Sequence, residues 1–285
     1  MKKWLALSLA LVLVLSSVVM AVAEEVKPVI LVVSFGTSYN DTRAVTIDAI
    51  EAEIAKAYPD YEVRRAFTAQ IVIDILAERE KLVIDNVTQA MDRLVADGVK
   101  DVIVQPTHVI NGFEYNDILA EVEPYADKFD SLKVGHPLLT HYEDYEVAIN
   151  TLMENEEFAA SDETALVFMG HGTHHYANAT YSQLQLMFHF AGYDNVFFAG
   201  AEGFPTIDNV VAELTAGGYK KAVLTPFMIV AGDHATNDMA SDEEGSWNTI
   251  LTNAGFEVTS RMIGLGQRPG IQKLIIEHLS ELITK

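Results

Sequence analysis

Residues 98–112 read GVKDVIVQPTHVING and residues 218–232 read GYKKAVLTPFMIVAG, and the agreement between them decides the fold class. Gly98 and Lys100 match Gly218 and Lys220, Pro106 matches Pro226, Val109-Ile110 matches Ile229-Val230 and Gly112 matches Gly232, every pair 120 residues apart. A second pair of segments agrees at its own offset. Phe35-Gly36-Thr37 and His171-Gly172-Thr173 each follow an apolar run and lie 136 residues apart. Strand-and-turn units that recur in the same order indicate a duplicated domain.

Working outward, β-rich runs alternate with segments of helical period. Val29 to Val33, Tyr61 to Ala66, Asp101 to Gln105 and Leu132 to Gly135 read as strands. In the second half Ala165 to Met169, Asn195 to Ala199, Lys221 to Leu224 and Phe256 to Ile263 read the same way. Ile47, Ile50 and Ile54 fall at helical spacing ahead of Pro59, and Val87, Met91 and Leu94 mark another helix closed by Gly98. Strands that alternate with crossover helices form a parallel sheet covered on both faces. The acidic stretch Glu154 to Glu163 reads as a linker. The expectation is an α/β protein of two similar, doubly wound parallel-sheet domains, residues 24–155 and 156–285, with the metal site in the second. Ligands in such folds bind beyond the carboxyl ends of the strands, which here places them in the interdomain cleft.

Composition bounds what the cleft can hold. The chain has 285 residues, 41 acidic against 19 basic and no cysteine, for a net charge of −22. That charge repels phosphate backbones, so nucleic acid is excluded as a partner. Without cysteine there is no disulfide, thiolate nucleophile, iron–sulfur cluster or thiolate zinc site. Any metal must be held by imidazole, carboxylate or carbonyl. Residues 1–23 read as a signal peptide: Lys2 and Lys3, an apolar run from Trp4 to Val22, and Ala21-Val22-Ala23 ahead of Glu24. An uncleaved anchor is the competing reading of so long a run. Cleavage after Ala23 predicts a periplasmic protein with no membrane segment and, with 17 basic and 41 acidic residues, a net charge of −24.

Three polar side chains are expected to converge. His171 follows the first strand of the second half, Glu202 follows the second strand 31 residues on, and His234 lies past the third after a further 32. One βαβ unit spans about 30 residues, so such positions recur at one sheet edge. Two imidazoles and a carboxylate suit a divalent first-row metal while leaving positions open. The repeat provides a control. The first half has Phe35 where the second has His171, and Ala69 where it has Glu202 at a local offset of 133. Glu114 is the exception: it matches His234 at the 120-residue offset and is expected to face the metal from the opposite domain as an acid or base.

His174 and His175 read as exposed loop residues, one of which could support a ligand. His108, beside a strand end, reads equally as a core-rim imidazole or as a ligand to something in the cleft. His136, His141, His189 and His278 read as structural or surface groups, and the run Asp242 to Glu244 as a solvated helix start. Gly170-His171-Gly172 and Gly264-Leu265-Gly266 lack the further spacing of a dinucleotide-binding loop.

The stretch Val32-Val33-Ser34-Phe35-Gly36-Thr37-Ser38, the segment His108 to Tyr115, the Gly170-His171-Gly172-Thr173 turn and the neighbourhood of Val230 to Asp238 together resemble the CbiK-type anaerobic cobaltochelatases, class II chelatases that insert Co²⁺ into sirohydrochlorin. The likeness runs in order along the whole chain after residue 23, and the leader resembles that of the periplasmic subgroup. It implies two similar α/β lobes holding a tetrapyrrole between them. It also implies His171 as proton acceptor and metal ligand, Glu202 and His234 as the other ligands, and Glu114 as a cleft carboxylate that handles substrate.

Metal insertion displaces two pyrrole N–H protons, so a base must reach the ring centre. Few and exchangeable ligands are required because the ion must be released. The substrate's carboxylates call for local cations in an acidic protein, and Arg64 and Arg65 read equally as candidates for the rim or as a solvated strand edge. The ligand set does not discriminate Co²⁺ from Fe²⁺ or Ni²⁺, and the cleft could instead hold haem. Two other functions compete: a periplasmic carrier of metal, haem or another tetrapyrrole, and a metal-dependent hydrolase. No residue pattern speaks for or against a homo-oligomer.

Overall fold

The computed structural model describes residues 26–154 and 163–284. The signal-peptide residues, the 155/156 boundary and most of the Glu154–Glu163 linker lie outside the described residues.

In the first half the order is β1 (Val29–Ser34), α1 (Asn40–Val45), α2 (Ile47–Ala57), β2 (Glu62–Phe67), α3 (Gln70–Glu80), α4 (Val87–Ala96), β3 (Asp101–Pro106), α5 (Phe113–Val122), β4 (Ser131–Val134) and α6 (Tyr142–Met153). The second half runs β5 (Thr164–Gly170), α7 (Ala179–Phe190), β6 (Val196–Gly200), α8 (Ile207–Gly217), β7 (Lys221–Pro226), α9 (Trp247–Asn253), β8 (Glu257–Ser260) and α10 (Pro269–Ile283). All pairings are parallel, and the two four-stranded sheets have the same order, β2-β1-β3-β4 and β6-β5-β7-β8. The expected α/β duplication is therefore present strand for strand. β8 is shorter than the Phe256 to Ile263 run suggested, because it is an edge strand paired only with β7 over Lys221 to Leu224. Asp242 to Glu244 are not in a helix; Ser246, whose side chain accepts from the Thr249 N–H, starts α9 instead.

Strand period 2 divides the core into layers. Val29, Leu31 and Val33 of β1 pack with Val87, Met91 and Leu94 of α4 and Ile118 of α5 on one side of the first sheet. Ile30 and Val32 face the other way, into a cluster that also takes in Ile50 and Ile54 of α2, Phe168 of β5, Leu184 of α7 and Leu274 of α10. The outer face of the second sheet packs on Val210 of α8 and on Trp247 and Leu251 of α9. One apolar layer thus lies between the sheets and belongs to both. The helices cross between halves as well: α10 packs on α6 and α2, and α6 packs on α7. The buried His278 of α10 meets the buried Asp144 of α6 at 3.0 Å, and Tyr58 Oη donates to the Ile276 carbonyl at 3.0 Å. The pairing with His278 and two backbone N–H donors hold the Asp144 carboxyl below the usual range against the opposing effect of burial. Shared helices fix the spacing of the two sheets, and with it the width of the gap beyond their strand ends.

Candidate active site

Both sheets end at a cavity of about 380 Å³. Its walls come from the segments that follow β1, β3, β5 and β7: Ser34 to Tyr39, Thr107 to Ile110, His171 to Thr173 and Phe227 to His234. These are the central strands of each sheet, between which the strand order reverses. Chains leaving β1 and β3, or β5 and β7, turn away to opposite sides and open a crevice there. Ile71, Val72 and Ile75 of α3, Ile47 of α2, Tyr181 of α7 and Glu114 near the start of α5 complete the lining.

The repeat offsets are visible as equivalent backbone bonds. Ala69 N–H donates to the Phe35 carbonyl at 3.1 Å, and Glu202 N–H donates to the His171 carbonyl at 2.9 Å. Thr107 N–H reaches the Val33 carbonyl at 2.9 Å as Phe227 N–H reaches that of Met169 at 2.7 Å. Asn116 and Thr236 each bond back to Gly112 and Gly232, at 3.2 and 3.0 Å. Phe35 and His171, equivalent in the repeat, face each other with ring centroids 6.4 Å apart.

His171 and His234 come together, with ring centroids 4.9 Å apart in an edge-to-face arrangement. His171 Nδ1 lies 2.9 Å from the Gly172 carbonyl oxygen, and His234 Nδ1 lies 2.6 Å from Asp238 Oδ2. A carbonyl or carboxylate oxygen only accepts, so both Nδ1 atoms carry the hydrogen and both lone pairs are on Nε2. Two Nε2 lone pairs on neighbouring rings are what a divalent ion needs from imidazoles, and the Asp238 contact fixes the tautomer and orientation of the His234 ring. His234 and Asp238 share one face of the π-helical turn 234–239. Such turns frequently mark functional positions. Under the His171 turn lies Tyr181 of α7, whose buried hydroxyl accepts from the Gly172 N–H at 3.5 Å. Burial pushes that hydroxyl up to about 12, so it stays neutral.

Glu114 lines the same cavity from the first half, with Oε2 folded back over Gly112, 3.2 Å from where a β-carbon there would be. Glu202 departs from expectation. Its backbone is at the predicted strand edge, yet its side chain is exposed and does not line the cavity. Among the described residues no three His, Asp or Glu groups are gathered closely enough to hold an ion. The length of a βαβ unit fixes where the backbone of Glu202 lies but not its rotamer, which here faces water. Arg64 and Arg65 are also away from the cleft. Arg64 is engaged by Glu62 and Asp97, and Arg65 by Asp48 and Glu51, because β2 is an edge strand whose neighbours are acidic. His175 is buried where exposure was expected. Its Nδ1 accepts from Ala177 N–H at 3.1 Å, and its Nε2 meets the Asn116 amide at 3.3 Å, tying α5 to the second half. On the other side of the cleft Tyr39 Oη donates to Asp233 Oδ1 at 3.1 Å. Sequence reasoning missed Tyr181, Tyr39 and the supporting role of Asp238; only Asp238, four residues beyond His234, carried a local signal.

Two parallel α/β lobes with paired imidazoles at their shared carboxyl edge define a protein of the class II chelatase fold. Solved structures agree on the fold: SirB from Bacillus subtilis with Fe³⁺ superposes with a TM-score of 0.60 at 16% identity, covering 90% of this chain and 95% of that one. CbiX, described as the terminal enzyme for siroheme biosynthesis in denitrifying bacteria, gives 0.53 at 16% identity over 90% and 99%. The sequence is more specific. The profile of the cobalt chelatase (CbiK) family matches residues 28–284. The sirohydrochlorin cobaltochelatase of Salmonella typhimurium is 38% identical over 90% of this chain and 97% of its own length. Sirohydrochlorin cobaltochelatase CbiKC of Nitratidesulfovibrio vulgaris is 31% identical over 90% of each. The chain belongs to the cobalt chelatase (CbiK) family.

Proposed function

We propose that the chain inserts Co²⁺ into sirohydrochlorin, with the ion delivered by His171 and His234 and the macrocycle lying in the cavity between the sheets. The observation that carries this reading is the pair of imidazoles whose Nδ1 atoms are committed to protein oxygens, leaving both Nε2 lone pairs beside an apolar cavity. As the ring nitrogens bind the ion, two N–H bonds break, the electron pairs stay on nitrogen and the protons need acceptors. His171 takes one as it gives up the metal, since loss of the ion frees its Nε2 lone pair. Glu114, on the facing wall, takes part in removing the other. Glu202 joins the ion as a third ligand by rotating its exposed side chain inward from a backbone already anchored to the His171 turn. Two or three exchangeable N and O donors bind the ion without caging it, as delivery requires. Fe²⁺ and Ni²⁺ suit the same donors, so selectivity is kinetic or set by supply, and the apolar walls are compatible with a haem-like plane as well.

The N-terminal residues support export to the periplasm by a signal peptide cleaved after Ala23. Among the described residues no helix is long and apolar enough to cross a membrane.

Purified protein incubated anaerobically with sirohydrochlorin and Co²⁺ should form the cobalt complex faster than the protein-free mixture, followed by visible absorbance. Equal rates would leave a binding protein without catalysis. Replacing Glu114 by Gln should lower turnover more than Co²⁺ affinity.

A further inference from the structure

Among the described residues lining the cavity, His108 is the one whose buried side-chain nitrogens meet no hydrogen-bond partner. It follows β3 by two residues, and its carbonyl accepts from the Leu138 N–H at 2.8 Å, so its backbone is fixed. Both ring nitrogens are buried, and neither meets a hydrogen-bond partner among the described residues. The ring nonetheless lines the ligand cavity. A buried donor and a buried acceptor left unpaired are costly. The second half shows that the backbone does not demand them. Met228, equivalent to His108 at the 120-residue offset, lines the same cavity and uses its carbonyl in the same way, accepting from Leu265 N–H at 2.8 Å. An apolar side chain therefore fulfils the structural role, and the imidazole must answer to something that enters the cavity.

The surroundings select what that is. Burial pushes the His108 imidazole down to about 4, with the nearby Glu114 carboxylate opposing the shift, so the ring is neutral at ordinary pH. A neutral ring beside a carboxylate is a poor receptor for another carboxylate and a good one for an N–H donor. We propose that His108 contacts the substrate, its free ring nitrogen accepting a hydrogen bond from a pyrrole N–H of the metal-free macrocycle. The inference rests on the tetrapyrrole reading above and adds a consequence: the contact exists only before insertion. The product has no central N–H, so it loses this bond while the substrate keeps it, and the wall discriminates between them in the direction that favours product release.

The test compares binding of metal-free sirohydrochlorin and of its cobalt complex to wild-type protein and to His108→Met, the residue that the other half uses. Absorbance titration is expected to show metal-free binding weakened about ten-fold, as for loss of one hydrogen bond to a buried partner. Binding of the cobalt complex should change less than about two-fold, and the melting temperature of ligand-free protein should rise. Equal losses for both ligands, or no loss for either, would overturn the inference. Should His108→Met fail to fold, His108→Gln decides: it keeps an acceptor and should retain the preference for the metal-free ring, and losing that preference overturns the contact. If wild-type protein neither binds the ring nor accelerates insertion, the tetrapyrrole reading itself fails. If it does both and His108→Met keeps the preference, only the role of His108 falls.

Discussion

After β1 the chain runs Phe35-Gly36-Thr37, and after β5 it runs His171-Gly172-Thr173. Both turns carry a left-handed glycine, with φ 99° and 76°, and both accept an N–H from the end of the neighbouring strand's segment. What differs is what the backbone presents. The first half offers an aromatic face at Phe35, an alanine at Ala69 and a carboxylate at Glu114; the second offers His171, Glu202 and His234 at the same places. Duplication supplied one geometry twice, and on the function proposed above the side-chain divergence assigns the macrocycle to the first wall and the metal to the second.

The comparison breaks most readily at the histidines. His171→Ala and His234→Ala should each lower kcat/KM for cobalt insertion by about 10²–10⁴-fold, the range for loss of a positioned base or ligand, with circular dichroism unchanged. Retention of full activity by both would remove the assigned division of labour. The glycines sharpen it. A β-carbon on Gly172 would lie 1.7 Å from the Glu202 carbonyl oxygen, whereas one on Gly36 would lie 2.6 Å from Phe67 Cδ2, a side chain. Positive φ alone costs about 1–2 kcal/mol for an alanine. Gly36→Ala should lose more than that amount, because the buried Phe67 ring must also shift, while Gly172→Ala, blocked by backbone that cannot swing aside, should lose more still, above about 4 kcal/mol by urea unfolding. Equal losses would mean that the two turns are less differently supported than their contacts indicate.

Asp238→Asn should weaken Co²⁺ binding by about 10–100-fold, the usual effect of removing a carboxylate behind a ligating imidazole, and isothermal titration would measure it. The matching position in the first half, Ile118, is a buried core residue and makes no such contact. The smallest effect is in pH dependence. The folded protein holds His108 near 4, below the ordinary 6.5, so the unfolded chain binds its proton first. Stability should fall as pH drops from about 6.5 towards 4, and His108→Met should flatten that part of the curve. Met228→Leu, in the other wall, should leave the slope as it is.

Much of this was legible in residue order. Eight strands followed from apolar runs, the halves from repeated glycines and prolines, and the edge positions of His171, Glu202 and His234 from the length of one βαβ unit. Backbone periodicity is a local property, and it survived. Side-chain direction did not follow from it: Glu202 has the predicted backbone position and an exposed carboxylate. Of the two readings of Arg64 and Arg65, the strand edge holds and the cleft rim does not, for a related reason. A charge on an edge strand pairs with whatever acidic groups flank it, here Asp48, Glu51, Glu62 and Asp97; Glu62 lies in the same strand, but the other three come from α2 and the end of α4.

Sequence by itself determined the parallel α/β class, the duplication, the absence of thiolate chemistry and the strand ends from which functional groups project, because each depends on composition or on spacing along one chain. Only the tertiary structure decided that the two sheets share one apolar layer through α6 and α10. It alone placed both Nδ1 atoms on protein oxygens and left His108 beside the cavity without a partner among the described residues. Those outcomes depend on which atoms meet across the gap between the sheets, a distance set by packing.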